Sequence, residues 1–130
     1  MSKIVWLINP VAMPPDREVR FQTQKRALFL ANLGFKPIVI GGSYFHNSGT
    51  NIAGSNPPLW TQQYNGINYV HIRVTSYSNH IGRFLSLSLF YTRLFLFCKR
   101  LEKPDYINEV ATIPFSLTVV ALAKRLKAVH

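Results

Sequence analysis

The chain has 130 residues, of which 48% are hydrophobic and 13% aromatic, a composition that excludes a disordered or low-complexity polypeptide. A single cysteine, Cys98, excludes a disulfide framework and any metal site with several cysteine ligands. Fifteen Lys and Arg against five Asp and Glu give a formal charge of +10, so we expect anionic surroundings such as phosphates, an acidic membrane face or nucleic acid.

The charge is unevenly distributed along the chain. No acidic residue lies between Glu18 and Glu102, although the interval holds many lysines and arginines. Because a solvated surface usually mixes both signs, this pattern indicates either a high basal charge or a surface that faces phosphate groups. No RNA-binding or DNA-binding motif is present, so we do not expect nucleic acid as a partner.

The first elements are a buried strand and a helix. Ile4–Ile8 is a short apolar run closed by Asn-Pro, which is typical of a strand buried on both faces. Asp16 is suited to cap a helix over residues 17–33, and Gly34 is suited to end it.

The middle of the chain predicts two further strands around a long loop. Residues 37–40 are apolar throughout, whereas residues 44–63 are polar and rich in Asn, Gly and Pro, as in a loop. The turn signal Asn65-Gly66 opens a strand over residues 67–74. Its partial alternation of polar and apolar residues places this strand nearer an edge of the sheet.

The last third predicts helix, strand and helix. Residues 83–101 form a long helix, residues 106–107 and their neighbours a short strand, and residues 115–128 a final helix. Residues 127–130 resemble the beginning of another strand. A sheet of this kind seldom ends there, so we expect the chain to be a fragment of a longer protein.

This order of elements predicts an α/β fold with a parallel sheet, helices on both faces and right-handed crossovers. Such sheets bind ligands at the carboxyl ends of their strands. The loops expected to gather at that edge are residues 9–16, 41–46, 75–82 and 111–114.

No complete active site can be identified from the residues. The loop after the first strand has no glycine, which excludes a P-loop and a dinucleotide-binding turn. The histidines lack metal-ligand spacing, and no paired carboxylates can be argued, so we predict no metal and leave the catalytic residues unknown. Residues 41–43, Gly-Gly-Ser, fit either a small anion-binding nest or a flexible strand end.

The helix over residues 83–101 carries two apolar bands, and one band alone is enough to cover the sheet. The second band needs another protein layer, a dimer or a lipid interface. A helix buried between two protein layers and a helix at a lipid interface fit these residues equally well. Basic and aromatic side chains beside it suit an anionic membrane. The expected membrane contacts are Arg83, Phe90, Arg93, Phe97 and Arg100. No secretory signal or clean membrane span is visible, so we expect a cytoplasmic protein, with a peripheral position at the inner membrane face left open.

Several segments together resemble the N-terminal domain of family 4 glycosyltransferases, in particular those of bacterial O-antigen and capsule synthesis. The similarity rests on the order and spacing of short motifs that cover nearly the whole chain. They are residues 33–46 with Ser43 and His46 as a Ser-x-x-His loop, residues 65–70, residues 77–83, residues 103–107 and residues 111–114.

The resemblance implies one half of a GT-B fold, in which two Rossmann-like domains face each other across a cleft. Residues 1–130 would be the acceptor-side domain, incomplete before its fifth strand. The donor-binding C-terminal domain and its nucleotide-sugar would lie outside this chain, which is therefore predicted to transfer no sugar alone and to hold no cofactor. The implied ligand is a glycan or lipid-linked acceptor. Its expected contacts are Asn9, Met13, Pro14, Ser43, His46, Tyr77 and Thr112.

The alternative to an enzyme domain is a binding function: a non-catalytic basic module that binds an anionic membrane surface or a polyanion.

Overall fold

The computed structural model describes residues 3–10, 22–45, 50–109 and 116–129. Over these residues the elements follow one another as strands, helices and one 3₁₀ turn. In chain order they are β1 (Ile4–Ile8), α1 (Gln22–Asn32), β2 (Lys36–Gly42), β3 (Tyr44–Phe45), β4 (Thr50–Asn51), β5 (Leu59–Tyr64), β6 (Ile67–Ile72), α2 (His80–Phe97), the 3₁₀ turn (Cys98–Arg100), β7 (Tyr106–Glu109) and α3 (Ser116–Leu126).

A five-stranded sheet of order β5-β6-β2-β1-β7 forms the centre of the fold. The strands β6, β2, β1 and β7 run parallel, as predicted, whereas β5 is antiparallel to β6. The prediction of an α/β fold is therefore confirmed, and the sheet is compatible with a Rossmann-like topology. The prediction of a wholly parallel sheet is wrong because of β5.

Helices cover both faces of this sheet, as predicted. Successive residues of a strand point to opposite faces, so Val5 and Leu7 of β1 pack with Ala27 of α1 on one side. Trp6 and Ile8 point to the other side. There they join a larger apolar cluster that α2 supplies with Phe90, Tyr91, Leu94 and α3 supplies with Val119, Leu122, Ala123. Cys98 belongs to the same cluster and is a buried packing residue.

The predicted loop over residues 44–63 contains strands, and this prediction is wrong. β5 exposes Thr61, Gln62 and Gln63 to solvent, so its sequence lacks the apolar pattern by which a strand is recognised. It forms because Asn65 and Gly66 have φ angles of 52° and 80°, the conformation of a tight hairpin turn. β6 consequently has a neighbour on each side and is the second strand from one edge, which agrees with its predicted position nearer an edge of the sheet.

The helix ends follow local capping chemistry. Gly34, with φ of 92°, ends α1 as predicted, and the Phe35 amide donates to the Leu30 carbonyl at 3.0 Å. The predicted start of α1 at Asp16 lies outside the described residues. α2 begins at His80 rather than Arg83, because the Asn79 side chain caps it by accepting from the Gly82 amide at 2.7 Å.

Beyond α3 the chain returns to the sheet at one position. Val129 forms a parallel bridge with Tyr106, and its carbonyl accepts from the Ile107 amide at 2.8 Å. Of the strand expected over residues 127–130, the described chain shows an isolated bridge at Val129, and residue 130 lies outside the described residues.

Candidate functional site

The loops after β1 and β2 are joined at the carboxyl edge of the sheet. The Asn9 amide donates to the Ile40 carbonyl at 3.0 Å, and the Gly42 amide donates to the Pro10 carbonyl at 3.0 Å. A Cβ atom on Gly42 would lie 2.7 Å from the Pro10 oxygen, a distance that real Cβ atoms do not adopt. Glycine is therefore required at the end of β2 by the close approach of the first loop.

Ser43 connects the end of β2 to the end of β6. It is 0% exposed. Its hydroxyl accepts from the Val74 amide at 3.0 Å and donates to the Val74 carbonyl at 3.3 Å. Its own amide donates to the Ile72 carbonyl at 3.0 Å. Since the amides of Gly42 and Ser43 both donate to carbonyls, these two do not form the anion-binding nest that was one interpretation of residues 41–43.

Tyr77 lies where the loop after β6 meets the segment after β2. The Tyr44 hydroxyl donates to the Tyr77 carbonyl at 2.8 Å, and the two rings meet edge to face with centroids 4.7 Å apart. Tyr77 itself is partly exposed at this edge. Partial burial raises the pKa of its phenol, and the Arg83 guanidinium opposes that effect.

The loop over residues 73–79 is fixed at several points. Asn51 donates from Nδ2 to the Val74 carbonyl at 3.0 Å and to the Ser76 hydroxyl at 3.1 Å. A Cβ atom on Gly82 would lie 2.9 Å from the Cβ of Tyr77, so the loop rests directly on the first turn of α2. We call the edge formed by the loops after β1, β2 and β6 the rim.

Three of the seven predicted acceptor contacts are described, and the structure brings all three to the rim. Asn9, Ser43 and Tyr77 are linked through the hydrogen bonds of Pro10, Gly42, Val74 and Tyr44. The remaining four predicted contacts lie outside the described residues: Met13, Pro14, His46 and Thr112. Ser43 is occupied by bonds within the protein, which makes it a positioning residue for the rim.

Sequence reasoning missed Tyr44 and Asn51, which hold the rim together. Both lie in the polar stretch that was assigned to a loop, where no periodicity indicates which side chains turn inward. The Asn51 side chain also accepts from the Ala53 amide at 3.0 Å, an Asx turn that any loop asparagine can form.

A buried histidine lies close to the carboxyl end of β6. His71 is 1% exposed and pairs with Gly41 of β2 across the sheet. The rings of Trp60 and Tyr69 lie beside it, with centroids 5.2 Å and 6.3 Å away. Neither ring nitrogen has a hydrogen-bond partner within the described part of the chain, and burial lowers the pKa of the imidazole to about 4. His71 is therefore neutral at physiological pH.

The predicted membrane contacts do not share one exposed face. Phe90 is 1% exposed and packs in the core, so its placement on an outer surface is wrong. Arg93 donates to the Arg73 carbonyl at 2.7 Å, and the Arg100 guanidinium lies 4.7 Å from the centre of the Phe97 ring. Arg83 is exposed.

A different set of apolar side chains faces outward from the layer of α2 and α3, and we call it the outer face. Its members share high exposure and lie on the sides of both helices that point away from the sheet. They are Ile81, Phe84, Leu85 and Leu96 of α2 with Leu117 and Val120 of α3. The segment His80–Arg100 is long and apolar enough to cross a membrane. That test is weak here because the opposite side of α2 contributes to the core.

No group of three or more His, Cys, Asp or Glu side chains in the described ranges could hold a metal ion. No protein-family model matches the chain, and no curated protein matches it significantly.

Proposed function

We propose that the chain is the acceptor-binding part of a glycosyltransferase that moves a sugar from a nucleotide-sugar to a glycan or lipid-linked acceptor in cell-surface polysaccharide synthesis. The observation that carries this proposal is the rim. It gathers the loops after three parallel strands at the edge where open α/β sheets bind ligands. The segments that resemble family 4 glycosyltransferases lead into the same loops, at Ser43 and at residues 77–83.

The described part of the rim is held in place by its own hydrogen bonds before any ligand binds. Hydrogen bonds to backbone atoms of neighbouring loops engage the side chains of Ser43, Tyr44 and Asn51. A loop held in this way loses little conformational freedom when a ligand arrives. Tyr77 is partly exposed at this edge, and an aromatic ring suits the apolar C–H faces of a sugar.

The transfer itself belongs, in this proposal, to the partner domain that the resemblance implies. The nucleotide-sugar and the groups that act on it would come from that domain. The present chain would bind and orient the acceptor, and it would transfer no sugar when isolated.

Amide NMR spectroscopy tests the rim as the binding site. The chain is titrated with a polyprenyl diphosphate in micelles and, separately, with a panel of neutral oligosaccharides. We expect the largest shifts at Asn9, Ser43 and Tyr77, and we expect Tyr77→Ala to reduce them at the same ligand concentration. Tyr64→Ala, on β5, is the matched control and should leave them unchanged. Shifts confined to other surfaces, or none with any probe, would overturn the proposal.

A second candidate function is binding to an anionic membrane surface, and the outer face is the observation that favours it. Leu96 is 63% exposed and Leu117 is 76% exposed. Such exposed leucines on two neighbouring helices are typical of an interaction surface. Lys99 and Lys124 flank these side chains at the carboxyl ends of the helices. Apolar groups beside cations complement the hydrocarbon boundary and headgroups of an acidic bilayer.

Vesicle sedimentation tests this second candidate. We expect the chain to sediment with vesicles of phosphatidylcholine and phosphatidylglycerol but not with phosphatidylcholine alone. Leu96→Glu should release it, whereas Phe29→Glu should not, because Phe29 is equally exposed, at 62%, but lies on α1 over the opposite face of the sheet. Equal release by both variants would argue against a defined face. Binding that survives Arg83, Arg93 and Arg100 all changed to Gln would exclude those arginines as the contact.

A further inference from the structure

A cavity of about 290 Å³ lies at the end of the molecule opposite the rim. Helices α2 and α3 each follow a parallel strand and run back along the sheet, so both end at its amino-terminal edge. The cavity opens between their ends. It is lined by Cys98, Lys99, Leu101, Lys103, Arg125, Leu126 and Lys127, and we call it the basic pocket.

Four cationic side chains surround an apolar floor in this pocket. Cys98 is 0% exposed and Leu126 is 7% exposed, so the floor belongs to the core. Lys99, Lys103 and Lys127 are exposed around it. The Arg125 guanidinium lies 4.9 Å from the centre of the Phe95 ring, which gives the arginine a stacking partner on the protein.

Nearby carboxylates do not neutralise these cations. Glu102 is paired with Lys36, with Nζ 2.7 Å from Oε1, and the Asp105 carboxylate accepts from the Ile4 amide at 2.8 Å. Within the described ranges no ion pair joins a carboxylate to any of the four pocket cations. Among the described residues, the four pocket cations therefore have no carboxylate partner.

Helix dipoles explain only part of this charge. Cations at a helix carboxyl terminus are favourable because that end carries the equivalent of about half a negative charge. The two helix ends at the pocket together supply the equivalent of about one full negative charge, against four cations. The excess positive charge has no counterpart in the described part of the fold.

Lys127 occupies a position that normally belongs to glycine. Its φ is 54°, and it follows α3 in the cap geometry in which the Ala128 amide donates to the Ala123 carbonyl at 2.9 Å. Gly34 has the same place after α1. A side chain in this conformation is strained, and such residues persist where the side chain itself is needed.

We propose that the basic pocket binds a phosphate-bearing ligand with at least two negative charges. The three lysines act as point charges, and the Arg125 guanidinium can bond two phosphate oxygens side by side. The apolar floor excludes water on one side and so strengthens each attraction. This proposal does not depend on the rim and would stand if the glycosyltransferase assignment failed. A soluble phosphate and a lipid headgroup share the required chemistry.

Two probes distinguish these sources. Isothermal titration calorimetry with inorganic pyrophosphate measures the binding of a soluble phosphate ligand. Sedimentation measures the binding of a lipid headgroup: vesicles of phosphatidylcholine that contain phosphatidate are compared with vesicles of phosphatidylcholine alone. Both use the full chain.

Lys127→Gly is the decisive variant because its two effects have opposite signs. It removes one pocket charge but relieves the strained cap, so we expect the thermal midpoint to rise by roughly 2–4 °C. We expect the affinity for the binding probe to fall about tenfold. A loss of binding in a more stable protein cannot be attributed to unfolding. Lys25→Gln removes one exposed charge from α1, over the opposite face of the sheet, and should change the affinity less than about twofold.

Pyrophosphate binding that Lys127→Gly weakens and Lys25→Gln spares would support a soluble ligand. The same pattern only on phosphatidate vesicles would support a headgroup. Equal weakening by both variants would overturn the proposal in favour of diffuse attraction, and binding to neither probe would overturn it outright.

Discussion

The two ends of the sheet use polar side chains in opposite ways. At the rim, Ser43, Asn51 and Asn79 each bond to backbone or loop atoms, so their polarity stabilises the fold. At the basic pocket, Lys99 and Lys103 have no ion-pair partner within the described residues, so their charge contributes little to the fold. The difference indicates that removing a polar group bonded within the rim should lower stability, whereas removing the charge of Lys99 or Lys103 should leave stability nearly unchanged.

Gly42→Ala should produce the largest effect on stability. Its Cβ would meet the Pro10 carbonyl, a backbone atom that cannot move without displacing the first loop. We expect a loss of about 3 kcal/mol in the free energy of unfolding, measured by urea denaturation. Ser78→Ala, exposed at the same end, is the control and should change stability by less than about 0.5 kcal/mol. A tolerated alanine at position 42 would show that the rim is not fixed.

Acid should weaken the rim half of the protein through His71. Burial lowers its pKa from the ordinary value of 6.5 to about 4 in the folded state, so the unfolded chain binds the proton more readily between these values. The stability contributed by the neutral ring is complete above pH 6.5 and is lost as the pH falls toward 4. The total loss is about 3 kcal/mol.

His71→Leu should flatten this dependence of unfolding free energy on pH. An unchanged slope in His71→Leu would exclude His71 as its source.

Ser43→Ala should cost about 2 kcal/mol, because it leaves the buried amide and carbonyl of Val74 without their hydroxyl partner. Chemical denaturation measures the loss. The Ser43→Thr variant retains the hydroxyl and should recover part of the lost unfolding free energy. An unchanged unfolding free energy in Ser43→Ala would mean that the hydrogen bonds between Ser43 and Val74 contribute nothing to stability.

The smallest effect on stability is expected at the other end of the sheet. Lys99→Gln and Lys103→Gln should each shift the unfolding free energy by less than about 0.5 kcal/mol, since neither ammonium is paired within the described residues. A loss comparable to that of Ser43→Ala would break the contrast between the two ends.

The sequence predicted the parallel strands and the helices because their signals are local. Continuous apolar runs such as Ile4–Ile8 and cap residues such as Gly34 act within a few positions of where they stand. β5 was missed because an edge strand needs no apolar alternation, and its pairing is set by the turn at Asn65 and Gly66.

The functional surfaces were less predictable. The three described rim residues were placed by topology, since the carboxyl ends of parallel strands meet at one edge. Phe90 was misplaced because a helix with two apolar bands does not reveal which one meets the sheet. The basic pocket joins residues 98–103 to residues 125–127, and no local sequence pattern indicates that these two segments meet.

The hairpin of β5 and β6 also bears on the order in which the chain can assemble. Its paired residues Tyr64 and Ile67 are close neighbours in sequence, whereas Ile4 and Asp105, bonded beside β1 and β7, are 101 residues apart. Closing a short loop loses less chain entropy than closing a long one. The hairpin therefore offers a local nucleus, whereas β7 can dock against β1 only after all the residues between these two strands have been synthesised.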